Sequence, residues 1–214
     1  MKPSSLENVR KMYEDTAESY FEMMEKEIKL PVYQDIMGRL HQNIANIPGT
    51  LIDTACGSGH MLAMYRSQFD SSRSLIGLDL SPRMVALSKT LIGEDGLLLV
   101  GDMRSLLSID SNSAAAVINF FAIHHLALDG IKKAMLEWYR VLVQNGYLVV
   151  AAWEGNGAID YGAESDMVAL RYTSQELIDI ANQVGFSVSR CAVEPVEGFP
   201  MDAIYLECNK SNAT

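Results

Sequence analysis

The sequence is poor in cysteine, in proline and in clustered positive charge. Its three cysteines, Cys56, Cys191 and Cys208, have neither metal-ligand spacing nor the density of a disulfide framework, so they read as core thiols. Lysine and arginine total 17 against 27 acidic residues, a formal net charge of −10. The basic runs do not exceed the pairs Arg10-Lys11 and Lys132-Lys133. Affinity for nucleic acid comes largely from basic side chains neutralising phosphates, so an extended nucleic-acid surface is excluded. No N-terminal apolar stretch has the form of a signal peptide, and no run of about 18 apolar residues would span a bilayer. The expectation is a soluble, cytoplasmic protein with no membrane and no nucleic-acid partner. Internal repeats, low-complexity tracts and interdomain linkers are absent too. At 214 residues, 49% hydrophobic and 21% charged, the chain suits one globular domain.

The chemistry-bearing residues sit at strand ends. Residues 50–54 read as a buried strand ending in Asp53. The small residues Ala55, Cys56, Gly57, Ser58 and Gly59 follow, and Met61, Leu62 and Tyr65 then take up helical spacing. Glycines at such a turn allow backbone angles and close ligand approach that a Cβ would forbid. A second apolar strand, 75–78, ends in Asp79, 26 residues after Asp53. Ser81 and Pro82 then supply a helix cap and a first-turn proline. An acid at that position is placed to accept hydrogen bonds from both hydroxyls of a ribose. Strand 97–100 runs into Gly101, Asp102 and Met103, and strand 115–118 ends at Asn119 and Phe120. Four successive strand ends thus present polar or small residues at one sheet edge, where ligands bind in open α/β sheets.

On these motifs the chain resembles the class I S-adenosylmethionine-dependent methyltransferases of small-molecule type, over residues 9–208. Asp53 to Gly59 is similar to the first motif of that family, acid-x-Gly-x-Gly-x-Gly, with Ala55 in place of the first glycine. Asp79, Leu80 and Ser81, with Met84 just beyond, resemble the ribose motif, Gly101-Asp102-Met103 the adenine motif, and 119–126 the fourth motif. Arg140-Val141-Leu142 with Asn145-Gly146-Tyr147-Leu148 resembles the helix, turn and fifth strand, without the customary proline in the turn. The resemblance implies a Rossmann-like, doubly wound α/β fold. Its seven-stranded sheet would be mostly parallel with an antiparallel C-terminal strand, below an N-terminal helical lid. It implies S-adenosylmethionine as cofactor, S-adenosylhomocysteine as product and no metal.

A nicotinamide-dependent oxidoreductase is the fold-level competitor, but its G-x-G-x-x-G fingerprint needs a third glycine where this chain has Leu62. The chain end also separates the two. Segments 185–188 and 203–206, joined by a turn containing Gly198 and Pro200, read as a hairpin that the resemblance makes the closing strands of a methyltransferase. A different class of answer is a non-catalytic S-adenosylmethionine binder docked on another protein, whose mark would be an occluded methyl side.

Two covers are expected. Leu6, Val9, Tyr13, Ala17, Tyr20 and Met24 recur at three- and four-residue steps, so 5–28 reads as one or two amphipathic helices, interrupted at Pro31 before a further helix through Ile36, Leu40 and Ile44. Tyr13 to Tyr20 is similar to a Tyr-x-x-x-Ala-x-x-Tyr pattern of related methyltransferases. It makes 1–48 a lid, with Tyr20 the cofactor contact and Tyr13 and Tyr33 pocket candidates. Residues 49–153 form the cofactor-binding core. The second cover, 154–172, follows the fifth strand, 147–153. Its glycines suggest mobility, and Asp160, Tyr161, Glu164, Asp166, Arg171 and Tyr172, with Trp153 at the strand end, are candidates for lining a substrate pocket. Residues 173–214 then form a helix opened by a capping-box signal at Thr173 to Glu176, and the hairpin.

Methyl transfer from an activated sulfonium asks mainly for orientation, and for a base where the acceptor arrives protonated. His124 and His125 follow the fourth strand, and an imidazole titrates near neutral pH. His125 matches a histidine in the Ile-x-His-Leu stretch of amino-sugar N-methyltransferases, which favours it as the base. The structural alternative is that the pair caps the helix at 129–143 or packs on Trp138. Asn119-Phe120-Phe121-Ala122 is not the Asn-Pro-Pro-Tyr of base-methylating enzymes. The partner expected is a small-molecule acceptor at N, O or S, with the acids of 154–172 mildly favouring a cationic one.

Overall fold

A computed structural model describes residues 2–159, 161, 166–196 and 200–211. The strands are β1 (Thr50–Asp53), β2 (Leu75–Asp79), β3 (Gly96–Val100), β4 (Ala114–Phe120), β5 (Leu142–Trp153), β6 (Ala158–Ile159), β7 (Ala169–Leu170), β8 (Phe186–Pro195) and β9 (Asp202–Lys210). The helices are α1 (Leu6–Asp15), α2 (Ala17–Glu27), α3 (Pro31–Ile44), α4 (His60–Gln68), α5 (Pro82–Ile92), α6 (Leu128–Val141) and α7 (Ser174–Val184).

Seven strands form one sheet in the order β3-β2-β1-β4-β5-β9-β8. Strands β1 to β5 are parallel, and β9 lies antiparallel between β5 and β8. The chain reverses direction on either side of β1, so a crevice opens between the carboxyl ends of β1 and β4. Period-two alternation divides the core. Ile52, Val117, Leu148 and Val150 face α6 and α7 around the fully buried Trp138, whereas Leu51, Ile118, Val149 and Ala151 face α3 and α4. Both faces being covered explains why these strands read as continuous apolar runs.

Local signals set the helix starts. Ser81 Oγ accepts from Met84 N–H to cap α5, and Thr173 and Glu176 form a reciprocal capping box on α7. The N-terminal amphipathic stretch is two helices, broken at Thr16, and Pro31 opens α3 at its first turn rather than ending a helix. Two boundaries differ from the sequence reading. Strand β5 starts at Leu142 because the Gln144-Asn145-Gly146 turn is a register break within it, with Asn145 at φ +62°. The cover segment contains a small ladder, β6 on β7, which segments of two residues cannot announce by periodicity.

Helices α1 and α2 contribute little to the core. Helix α1 buries only Val9, and α2 only Ala17 and Met24, whereas α3 buries five side chains. Their apolar faces instead close two cavities at the carboxyl edge of the sheet.

Candidate active site

The turn after β1 is stitched to both neighbouring strands. Thr54 N–H donates to Ile118 O of β4 and Cys56 N–H to Leu78 O of β2, at 3.1 and 2.9 Å. Gly57 N–H donates to Asp79 Oδ2 at 2.9 Å, while Asp79 Oδ1 accepts from Ser81 N–H at 2.9 Å. At least two of the roughly four acceptor positions of that carboxylate are therefore used in building the turn, where the Leu80 backbone also approaches it, and the remainder face a ligand. Gly57 has φ +49° and Gly59 φ +87°. A Cβ on Gly57 would lie 3.1 Å from the Tyr20 ring, and one on Gly59 only 2.8 Å from Ser88 Cβ of α5. Gly57 thus leaves room beneath the lid, and Gly59 lets α4 approach α5.

A narrow cleft runs from this turn across the ends of β2 and β3. Ala55, Gly57 and Asp79 form one wall, Leu80, Met84, Gly101, Asp102 and Met103 the next. Tyr20, Tyr13, Val9 and Leu6 of the N-terminal helices lie over it. Its free volume is only about 50 Å3. Burial raises the Asp79 carboxyl, and raises Asp53 to about 7, against which the Ala55 N–H bond to Asp53 works. Asp102 is bound by the Arg104 guanidinium at 2.6 Å.

On the other side of the Asp53 to Ser58 turn lies a chamber of about 520 Å3. Tyr13, Tyr20, Ala55, Phe120 and Phe121 line both spaces, so the two meet there. Phe121 is held in the left-handed region, φ +49°, with its N–H on Ala151 O at 2.9 Å and its ring on Trp153 at 4.6 Å. Such strain in a bulky residue persists only where surrounding structure enforces it, and it clusters at ligand sites. Tyr33, Trp153 and Tyr161 line the chamber, as do Asp53, Cys56, Ser58 and His124. Arg39 of α3 donates to the buried Glu207 of β9 at 2.8 Å, which fixes the helix that carries Tyr33.

The histidines occupy a 3-10 turn, Ile123–His125, between β4 and α6. Neither caps α6, whose N-cap is Ala127 without a side-chain bond. His125 lines the cleft and His124 the chamber, with ring centroids 4.1 Å apart. His125 Nε2 lies 3.0 Å from the Tyr13 hydroxyl, the one described polar contact of its ring, and its Nδ1 is buried without a partner. Burial pushes His125 down to about 4 and, with the neighbouring imidazole, His124 well below its ordinary value. The near-neutral titration expected from sequence therefore does not apply: both rings are neutral at pH 7.

Five expected contacts are placed elsewhere. Asn119 is fully buried behind the cleft wall, its Nδ2 donating to Thr54 Oγ1 at 3.1 Å and approaching Met103 Sδ at 3.6 Å. Gly59 acts through helix packing and lines neither cavity. Arg171 turns away from the chamber, its guanidinium donating to Asn156 O at 2.7 Å and packing on Gly155. Tyr172 donates to Leu126 O, and Asp166 does not line the chamber. Within the cover segment, Ile159 and Tyr161 are the described residues that do; Asp160, Gly162 and Glu164, like Gly198 of the hairpin turn, lie outside the described residues. The chamber wall also includes residues that the sequence reading missed: Glu27, His60, Met61, Met201 and Tyr205. Met12 and Met23 also line the chamber, and Met24 was legible only as part of an amphipathic stripe, because core-facing and cavity-facing residues share one period.

Residues 52–150 match the model of a methyltransferase domain family. No curated protein matches the sequence. Among solved structures, 1,6-didemethyltoxoflavin-N1-methyltransferase of Burkholderia thailandensis, with 1,6-didemethyltoxoflavin and S-adenosylhomocysteine bound, superposes at a TM-score of 0.77 and 14% identity, covering 99% of this chain and 93% of that one. Magnesium protoporphyrin IX methyltransferase of Synechocystis PCC 6803, with S-adenosylmethionine bound, gives 0.70 and 16%, covering 96% and 97%. The [4+2]-cyclase SpnF gives 0.75 and 13%, covering 99% and 98%. With the family match spanning the strand-end motifs and the sheet carrying its one antiparallel strand beside β5, residues 52–150 are a class I S-adenosylmethionine-dependent methyltransferase domain.

Proposed function

We propose that the protein transfers the methyl group of S-adenosylmethionine to a nucleophilic nitrogen, oxygen or sulfur of a small molecule held in the chamber. The observation that carries this reading is the junction at Ala55, Phe120 and Phe121, where the cofactor cleft opens into a chamber of about 520 Å3. A non-catalytic binder would have its methyl side blocked; here that side faces a room of small-molecule size. The neighbours named for 1,6-didemethyltoxoflavin and magnesium protoporphyrin IX support a small-molecule acceptor.

The cleft residues suit the cofactor. Asp79 offers its remaining acceptor positions to the ribose, Leu80, Met84 and Met103 an apolar slot for the base, and Gly57 under Tyr20 a close backbone approach. The small free volume beneath Tyr13 and Tyr20 makes α1 and α2 a lid that shifts to admit it, against the exposed Glu18–Arg83 pair, the Tyr13–His125 bond, the Phe21–His60 ring contact and the two Ser4–Val168 bonds just before α1. The bound cofactor supplies an activated methyl group. The chain orients the acceptor, which is worth about 7–11 kcal/mol of barrier in well-aligned cases. It also receives the proton. Tyr13 borders both spaces while His125 borders the cleft alone, so the acceptor proton passes to Tyr13 Oη as the phenolic proton passes to His125 Nε2. Burial keeps the Tyr13 phenol protonated, so it relays and does not act as a resting phenolate.

A screen of amines, phenols, carboxylic acids and thiols tests the assignment, read by S-adenosylhomocysteine release. Acceptor-dependent release is expected. Cofactor binding without release across the panel would favour the non-catalytic reading. The cofactor pose has its own test. Asp79→Ala removes acceptors for the ribose and also orphans Gly57 and Ser81 N–H, at about 1–3 kcal/mol per buried group. Calorimetry should show at least about tenfold weaker S-adenosylmethionine binding, with a lowered melting temperature. Wild-type affinity in folded Asp79→Ala protein would remove the ribose role.

A further inference from the structure

Among the described residues the walls of the chamber carry acids, Glu27 and Asp53, but no lysine or arginine. Residues 1, 160, 162–165, 197–199 and 212–214, outside the described set, include no lysine or arginine either. The lining histidines do not compensate, because burial lowers both His60 and His124 and leaves them uncharged near neutrality. Arg171, the candidate cation of the cover segment, is spent on Asn156 O.

The remaining wall is polarisable and apolar. Met12, Met23, Met24, Met61 and Met201 contribute flexible thioethers, and Phe120, Trp153 and Tyr205 contribute ring surface. An anion entering here would lose hydration and gain no counter-charge. A cation would meet aromatic faces and the carboxylate of Glu27. Glu27 is half-buried at the end of α2, with Tyr33 as its hydrogen-bond partner, and desolvation leaves it in want of a positive neighbour. A second polar anchor is neutral. His60 Nδ1 pairs with Ser58 Oγ at 2.9 Å, while its Nε2 is buried and unpartnered at the chamber wall.

We propose that the acceptor is a predominantly apolar molecule that carries an amine and no phosphate or carboxylate, with Glu27 receiving the ammonium group and His60 Nε2 a neutral polar group. This rests on the methyl-transfer reading, since it takes the chamber to be the acceptor site. The volume of about 520 Å3 suits a molecule well above the size of an amino acid and within the range of drug-sized ligands.

Three probes with one apolar body and different charge test it: 1-adamantylamine, 1-adamantanol and adamantane-1-carboxylate, titrated by calorimetry into protein saturated with S-adenosylhomocysteine. The amine should bind tightest and the carboxylate at least about tenfold more weakly, as expected when a buried charge lacks a partner. Glu27→Gln should bring the amine to within about twofold of the alcohol, while S-adenosylhomocysteine affinity and the melting temperature stay near wild type. Carboxylate binding equal to that of the amine, an amine preference that survives Glu27→Gln, or no binding of any probe by product-loaded protein would each overturn the inference. Loss of S-adenosylhomocysteine binding in the wild-type protein would instead strike the methyltransferase reading beneath it.

Discussion

Gly57→Val will abolish S-adenosylmethionine binding while leaving the sheet folded. Residue 57 sits at φ +49°, where a β-branched side chain is sterically disfavoured, at about 1–3 kcal/mol. Its Cβ would already be 3.1 Å from Tyr20 Cε1, and the added methyl groups would drive into the ring or into the cleft. The N–H of the same residue anchors Asp79, so displacing the turn also moves the ribose acceptor. These effects add on the cofactor side, and an affinity loss of at least about 100-fold is expected, near 2.7 kcal/mol. Gly57 itself belongs to neither core cluster, so circular dichroism should report a native spectrum with a melting temperature a few degrees lower. Calorimetric titration with cofactor in excess measures the loss directly. Normal binding by Gly57→Val would mean that the cofactor does not cross this turn.

That turn was legible because its signals are local. Asp53, the small residues after it and the Ser81-Pro82 cap are each read from a few neighbouring positions, and each names a backbone geometry that follows from sterics or from capping. The same holds for Thr173 and Glu176 at the start of α7. The hairpin after α7 was visible as two short apolar runs and the resemblance made it the end of the sheet, but the placing of β9 beside β5 with β8 at the edge is seen only in the fold, since period-two patterning is the same for either strand order.

What stayed hidden depends on direction and depth. Asn119 and Arg171 have side chains chemically able to hold ligands, yet Asn119 points into the interior beside Thr54 and Arg171 folds back on Asn156. Residue type carries neither fact. Glu27 and Tyr205 reach the chamber from opposite ends of the chain, so no spacing links them. Depth decides the chemistry of the histidines as well. Their sequence position is right for a base at the methyl edge, but enclosure by Tyr13, Leu126 and the β4 end sets the charge state, and enclosure is a property of the assembled fold.

His125→Ala and Tyr13→Phe should each lower kcat by roughly 10² to 10⁴ if the relay carries the acceptor proton, with S-adenosylmethionine affinity close to wild type. Because the two groups act as a unit across one 3.0 Å contact, the double variant should be little worse than either single one. A purely structural role would lower the melting temperature in step with the activity. The pH profile supplies an independent sign. A base works only when unprotonated, and burial has pushed His125 down to about 4, so wild-type kcat should hold level from about pH 8 down to 5.5 and fall only as pH approaches 4. An unshifted imidazole would instead cut activity by half near its ordinary value of about 6.5. Such a weak base is matched to a proton released as the acceptor takes on the methyl group and grows more acidic, which is later than a resting phenol or thiol would need. Imidazole NMR at pH 6 checks the charge state without turnover and should show His125 neutral. A loss below about tenfold in both variants, or an acid limb near pH 6.5 that survives His125→Ala, would remove the relay and leave orientation in the chamber as the source of rate.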